Sequence, residues 1–308
     1  MGERPRAPYR EGMDIVVAGS HGLIGSELLE RLREDGHHVR RLVRRPAQTR
    51  DEREWDPDAG ILDPSAVEGA DAVVNLAGAG IGDHRWTTEY KRTLVTSRTR
   101  TTGLLARTLA ALDAPPPVWV QGSAIGYYGD RGAQVLTETS SSGEGFLARL
   151  VREWEAATAP AQDAGVRVVH ARTGIVLSPE GGALGRLLPL LRLGVGGRLG
   201  PGTQYWSWIT VHDEVAALRH LLTAPVHGAV NLCAPLPATN AQITAALAQA
   251  LHRPAVVAVP SFALRVVLGE LASDVLGSQR ALPTVLEASG FRFAHPSLEA
   301  AARWVVDR

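Results

Sequence analysis

The chain has 308 residues, 45% of them hydrophobic, which suffices for one large α/β domain or a domain with a smaller lobe. Its 32 Lys+Arg and 32 Asp+Glu residues cancel, a balance that argues against nucleic acid or an anionic membrane as a bulk partner. The single cysteine, Cys233, permits no intrachain disulfide and accords with a reducing cytoplasm, and no apolar run approaches the roughly 18–20 residues of a membrane span.

Residues 1–12 are polar, lack an apolar signal core and read as a disordered lead-in, with Met13 just before the first strand. The strand expected at 14–18 runs directly into Gly19-Ser20-His21-Gly22-Leu23-Ile24-Gly25. Three glycines spaced three apart, between a strand and an amphipathic helix at 22–35, read as a dinucleotide-binding turn. Gly19 lets the chain leave the strand tightly, Gly22 lets the backbone approach a pyrophosphate, and Gly25 lets the helix pack on the sheet. Ser20, Leu23 and Ile24 complete the loop, where unpaired N–H groups at the helix start favour phosphate. A second strand at 39–43 leads to Arg44 and Arg45, with no acid before Asp51. An acidic side chain there would bind a ribose 2′-hydroxyl, whereas a guanidinium fork suits a 2′-phosphate. The cofactor read from the sequence is therefore NADP.

A third strand, 71–76, ends in Asn75-Leu76-Ala77-Gly78, small residues that let the adenosine and ribose approach the backbone. The long helix at 86–112 carries Arg98, placed to face the cofactor cleft and hold a phosphate or a substrate carboxylate. Lys91, the one lysine in the chain, lies two turns earlier on that helix and reads as solvated. Pro115-Pro116-Pro117 stops the helix, and strands at 117–122 and 166–170 flank a further helix at 144–163. This alternation gives right-handed βαβ units and an α/β, Rossmann-like, doubly wound parallel sheet over 13–177.

Past Leu177 the pattern changes to a Gly- and Leu-rich stretch at 181–202, followed by Trp206-Ser207-Trp208-Ile209. A helix near 212–223, a strand near 228–232, a helix at 240–251, a strand at 256–259 and further helices complete the chain. Residues 178–308 are expected to form a smaller C-terminal lobe on the substrate side, over the carboxyl ends of the strands, with some later segments returning to the first domain. Trp206 and Trp208 face one side of an extended segment, as pocket wall or as core. His212-Asp213 reads as a polar helix start, and the histidine spacing suggests no metal.

Together these motifs resemble the extended short-chain dehydrogenase/reductase superfamily, and within it the epimerase-family oxidoreductase subgroup with an extra C-terminal domain of unassigned role. The likeness spreads over nearly the whole chain. It includes Trp55-Asp56-Pro57, Asn75-Leu76-Ala77-Gly78, Arg85-Trp86, Ser97-Arg98, Ser123-Ala124-Ile125-Gly126-Tyr127-Tyr128-Gly129 and Trp154-Glu155-Ala156-Ala157. Later come Arg172-Thr173-Gly174, Trp206-Ser207-Trp208-Ile209 and Gly290-Phe291-Arg292-Phe293-Ala294-His295-Pro296. The resemblance implies a Rossmann-like fold, NADP binding, and oxidoreductase or epimerase chemistry on a small-molecule substrate.

Enzymes of the superfamily use a serine and, one helix later, Tyr-x-x-x-Lys, whose tyrosine exchanges a proton with the substrate oxygen. Ser123 stands at the matching strand end. The pair itself is missing: none of Tyr9, Tyr90, Tyr127, Tyr128 and Tyr205 has a lysine four residues on, and the matching helix start reads Phe146-Leu147-Ala148-Arg149-Leu150. Tyr127 or Tyr128, just past Ser123, is the proton donor expected in its place. The leading reading is an NADP(H)-dependent oxidoreductase acting on a small carbonyl or hydroxyl compound. The missing pair favours a rival, an NADP-binding regulator or redox sensor without turnover. Nucleotide-sugar epimerisation or dehydration ranks third, because it also needs the absent tyrosine.

Overall fold

The structure is a computed structural model that describes residues 12–255 and 257–308; the expected lead-in up to residue 11, and Val256 of the strand expected at 256–259, lie outside them. Along the first half run β1 (Asp14–Ala18), α1 (Leu23–Glu34), β2 (His38–Val43), β3 (Glu52–Asp56), β4 (Ile61–Leu62), β5 (Ala72–Asn75), α2 (Thr88–Ala110), β6 (Val118–Ala124) and β7 (Val135–Leu136). Next come α3 (Phe146–Ala156), α4 (Ala159–Asp163), β8 (Arg167–Thr173), β9 (Ile175–Ser178), β10 (Gly181–Gly182), α5 (Leu184–Arg192), β11 (Tyr205–Trp206), β12 (Trp208–Thr210) and α6 (Val211–Thr223). The chain ends with β13 (Gly228–Leu232), β14 (Ala238–Thr239), α7 (Asn240–Ala250), α8 (Ser261–Leu268), α9 (Leu271–Leu276), β15 (Arg280–Ala281), α10 (Thr284–Ala288) and α11 (Leu298–Val306).

Eight strands form the main sheet in the order β13-β8-β6-β5-β1-β2-β3-β4, parallel throughout except for the antiparallel β3–β4 pair. β1 sits between β5 and β2, so the chain order reverses there and opens a crevice at the carboxyl ends of the strands. Alternate residues of β1 feed opposite cores. Ile15 and Val17 pack with Leu28 and Leu32 of α1 and with Val215 and Leu218 of α6, whereas Val16 and Ala18 pack with Leu105 and Leu109 of α2. At roughly 1.5–3 kcal/mol for each large apolar side chain withdrawn from water, these two layers hold the sheet rigid beneath the crevice.

Three elements depart from the sequence reading, the first two for clear local reasons. β3, with the sequence Glu-Arg-Glu-Trp-Asp, lacks an apolar run but joins the sheet because Glu52 and Trp55 turn inward. The helix expected at 144–163 is two helices: Thr158 Oγ1 donates to the Glu155 carbonyl at 2.7 Å, and Pro160 has no N–H to carry the ladder on. At the expected 256–259 strand, Val259 makes only an isolated bridge with Leu199.

The lobe beyond β8 has its own core, in which Trp206 and Trp208 pack with Leu177, Leu188, Ile243 and Val305. Both tryptophans are core residues rather than pocket walls. β13 and α6 return to the main sheet, β13 pairing with β8 and α6 packing on α1.

Candidate functional site

The three glycines of the turn after β1 have different physical reasons. Gly19 has φ +81°, and a Cβ there would lie 2.5 Å from the Leu76 carbonyl carbon. A Cβ on Gly25 would lie 2.2 Å from the Gly19 oxygen, so only glycine lets α1 start this close to the loop. Gly22 is different: its Cβ would meet nothing nearer than 3.6 Å. The protein itself has room for a side chain at Gly22, and the need for glycine there comes from what approaches from outside. Gly22 is also the N-cap of α1 and offers no side-chain cap, which leaves first-turn N–H groups unpaired.

Around this turn lies a groove of about 820 Å³, lined by Gly19, Gly22, Arg44, Arg45, Trp55 and the Leu76–Gly80 segment, among others. Ser20 is buried beside it, and its hydroxyl has no hydrogen-bond partner among the described residues. The side chains of Leu23 and Ile24 pack inward, Leu23 beneath Gly182 and Ile24 on the main core, so their contribution to a ligand is through the backbone. Asn75 is fully buried. Its Oδ1 accepts the Ala77 N–H at 3.1 Å, while its amide donates to Gln121 at 2.9 Å. It therefore shapes the Leu76-Ala77-Gly78 turn from below rather than lining the groove.

The two arginines after β2 are not equivalent. Arg45 grips Glu52 with both terminal nitrogens, at 2.7 and 2.8 Å. Arg41 holds the same carboxylate at 2.7 Å. The Arg45 hydrogen bonds, helped by the Gln48 N–H, pull the Glu52 carboxyl down to about 2. Arg44 is exposed and has no protein partner among the described residues. One carboxylate between two guanidinium groups leaves the rim positive, with Arg44 as its free fork.

Arg98 lies beneath the opposite lip. It is 8% exposed, and its guanidinium carbon is 3.1 Å from where a Gly78 Cβ would stand. It packs 5.0 Å over the Trp154 ring and donates to the Leu94 carbonyl, but Nε has no partner among the described residues. Burial lowers its pKa to about 10, so it stays charged at neutral pH. A buried cation with an unsatisfied donor and no carboxylate partner among the described residues, beneath a glycine loop, suits an anion.

At the end of β6, Ser123 Oγ donates to Glu155 Oε1 of α3 at 2.6 Å. Glu155 in turn is held in a two-pronged pair with Arg172 of β8, at 2.8 and 2.9 Å. Burial alone would raise the Glu155 pKa, but the Arg172 bonds and charge outweigh it and the net direction is down. Arg172 also donates to the Tyr128 hydroxyl at 3.1 Å, and that hydroxyl donates to Asn231 at 2.8 Å. Tyr128 is completely buried, and burial raises its pKa. Its hydroxyl is fully engaged within the protein. Tyr127 lies instead with its ring 3.5 Å from the Arg172 guanidinium carbon. It is half-buried among Trp86, Phe146, Leu147 and Leu271, and its hydroxyl has no protein partner among the described residues.

Phe146 and Leu150 occupy the positions where a tyrosine-lysine pair would stand, and both are packed: Phe146 edge-on to Trp86 at 5.0 Å, Leu150 buried. Lys91 is not free in solvent. Its Nζ pairs with Glu270, between α8 and α9, at 2.7 Å, tying the C-terminal lobe to α2. Glu155 and Arg172 were within the motifs read from the sequence but had no role assigned. No local signal marked them, since α3 also carries Arg149, Arg152 and Glu153, and β8 also carries Arg167 and His170.

The family model described as "NAD dependent epimerase/dehydratase family" matches residues 15–233, and a model described as "Domain of unknown function (DUF1731)" matches residues 259–305. An epimerase family protein of Mycobacterium bovis is 45% identical over 96% of this chain and 98% of its own length. Human epimerase family protein SDR39U1, solved as a crystal structure with NADPH, is 34% identical with a TM-score of 0.88, over 96% of this chain and 99% of that one. A nucleoside-diphosphate sugar epimerase from Corynebacterium glutamicum is 35% identical with a TM-score of 0.78, over 96% of this chain and 58% of that one.

Proposed function

Because this chain belongs to the NAD dependent epimerase/dehydratase family, we propose that it binds NADP(H) in the groove after β1 and acts as an oxidoreductase on a small hydroxyl or carbonyl compound. The observation that carries the reading is the anion cradle. Gly22 has room for a side chain it does not carry; among the described residues, the Ser20 hydroxyl and Arg98 Nε are buried donors with no partner, and Arg44 stands free at the rim. The backbone N–H groups at the start of α1 would hold the pyrophosphate, and Ala77 and Gly78 would face the adenosine side. Arg44, with Arg45 fixed beside it, would take the 2′-phosphate. The human relative's NADPH accords with this choice.

When bound, NADP(H) supplies or accepts a hydride. The chain's own residues handle the proton. Ser123 gives its hydrogen to Glu155, so its lone pairs are what it offers a substrate oxygen. Ser123 thus orients a substrate hydroxyl as acceptor, and Arg172 keeps Glu155 ionised behind it. Of the two adjacent tyrosines, Tyr127 is the one whose hydroxyl has no protein partner among the described residues, and in this reading it would exchange a proton with that oxygen. The engaged hydroxyl of Tyr128 leaves it a supporting role. No helix among the described residues is long and apolar enough to cross a membrane, and we assign the protein to the cytoplasm with a small-molecule partner.

The second reading, a cofactor-holding sensor without turnover, is favoured by the apolar Phe146 and Leu150. A panel of alcohols and carbonyls followed at the nicotinamide absorbance separates the two. Turnover lost in Tyr127→Phe but retained in a variant outside the site supports the enzyme; tight NADPH binding with no oxidation across the panel supports the sensor.

A further inference from the structure

Residues 82 apart in sequence meet at the start of α6. There Asp213, 1% exposed, accepts the N–H of Ala294 and of His295, each at 2.9 Å, one on each carboxylate oxygen. Each oxygen keeps a second lone pair. His212 Nδ1 stands 3.4 Å from one oxygen and His295 Nδ1 stands 3.5 Å from the other. The imidazole rings lie 5.3 Å apart at 80°, and Trp304 forms a wall against both.

These separations are long for hydrogen bonds, whose usual range ends near about 3.2 Å. They match instead the edge of a ligand tetrahedron: bonds of about 2.0–2.1 Å around zinc place neighbouring ligand atoms roughly 3.3 Å apart. One ligand atom from each of the three residues lies within 4.8 Å of the other two. His212 is the outermost of the three at 36% side-chain exposure, which leaves its ring room to adjust and a fourth position open to water. Asp213 is already fixed by its two backbone bonds and the His295 ring by packing on Trp304; His295 Nδ1 also meets Thr210 Oγ1 at 3.2 Å, a contact that a metal bound at this nitrogen would replace. The carboxylate also offsets the positive end of α6, which would otherwise repel a cation.

We propose that His212, Asp213 and His295 form a site for a divalent transition metal of the zinc type, which fastens the C-terminal segment to α6. Two imidazoles and one carboxylate suit zinc, whereas calcium and magnesium ask for an all-oxygen set. None of the three residues lines the cofactor groove, and α6 packs directly on α1. The ion is therefore structural in this reading: it locks the tail onto the helix that backs the dinucleotide loop.

The test uses the full chain, tag-free and stripped with chelator, titrated with zinc against a chromophoric chelator and melted with and without the metal. The proposal expects one equivalent bound and a higher melting temperature with zinc, since binding only the folded state stabilises it. His212→Ala and His295→Ala should each weaken zinc by about 100-fold or more, the upper end of what even outer-sphere partners cost. Both variants should still bind NADPH when stripped, which shows that they fold. Unaltered zinc binding in both variants, or none in the parent, overturns the site and leaves the cluster a hydrogen-bonded clasp.

Discussion

Replacing Glu155 with leucine leaves Arg172 charged, 4% exposed and without its counter-ion, with the Tyr128 hydroxyl as its one remaining hydrogen bond among the described residues. Removing one partner of a buried ion pair costs about 3–5 kcal/mol. In a chain of this size each kcal/mol moves the melting temperature by about 2 °C, so the midpoint should fall by about 6–10 °C at pH 7. The double variant Glu155→Leu with Arg172→Met removes both charges and should recover most of that loss, because two apolar groups replace a pair whose desolvation was itself costly. Acid adds a second signature. Arg172 holds the Glu155 carboxyl below its usual 4.5, against the pull of burial. This contribution is therefore complete above about pH 4.5 and disappears as pH falls through the lowered folded value. Calorimetry from pH 3 to 7 should show that acid-sensitive component in the parent and not in Glu155→Leu. A Glu155→Leu protein melting within about 1 °C of the parent would refute the claim that this pair is buried and coupled.

Substitutions in the glycine turn should separate folding from binding: in Gly22→Ala the added methyl has room and the melting temperature holds, while NADPH affinity in a fluorescence titration falls. In Gly25→Ala the methyl meets the Gly19 oxygen at 2.2 Å, so both stability and affinity should drop, affinity by about 100-fold for a loop displaced by an ångström. Glu214 is completely buried and, among the described residues, bonded to Thr173 through one oxygen only; burial pushes its pKa up to about 8. Its protonated form favours folding below about pH 4.5 and loses that advantage as pH rises to 8, so Glu214→Gln should flatten the stability profile across that window in denaturant titrations. Tyr127→Phe should lower turnover by about 100-fold without shifting the melting temperature, whereas Tyr128→Phe should cost about 1–3 kcal/mol by leaving Arg172 and Asn231 unsatisfied.

What was legible in the sequence is what repeats with a fixed period or uses residues of special geometry. β1, the glycine turn, α1 and β5 fall within a residue or two of their expected bounds, because apolar runs and glycines answer to local sterics. β3 was invisible because Glu52 is buried by pairing with Arg41 and Arg45, and no hydropathy pattern shows that. The same contact divides the arginines: adjacent in sequence, one is neutralised and one is free. The split of the 144–163 helix turned on Pro160 and a threonine bonding back to its own helix. In the candidate site, Ser123 was readable from its place at a strand end. Its partners were not, since Glu155 and Arg172 lie 32 and 49 residues away and meet only across the sheet. Choosing between Tyr127 and Tyr128 needed the burial of one ring, which two adjacent identical residues cannot signal.

The central claim is that this groove selects NADP(H) through a free arginine at its rim. Parallel calorimetric titrations of the full chain with NADPH and NADH test it most directly, repeated on Arg44→Ala. Charge-assisted bonds to the 2′-phosphate are worth about 1.5–3 kcal/mol, so NADPH should bind at least about tenfold more tightly, and Arg44→Ala should remove most of that margin while leaving NADH unchanged. Equal affinity for the two cofactors, or a preference for NADH, would contradict the account.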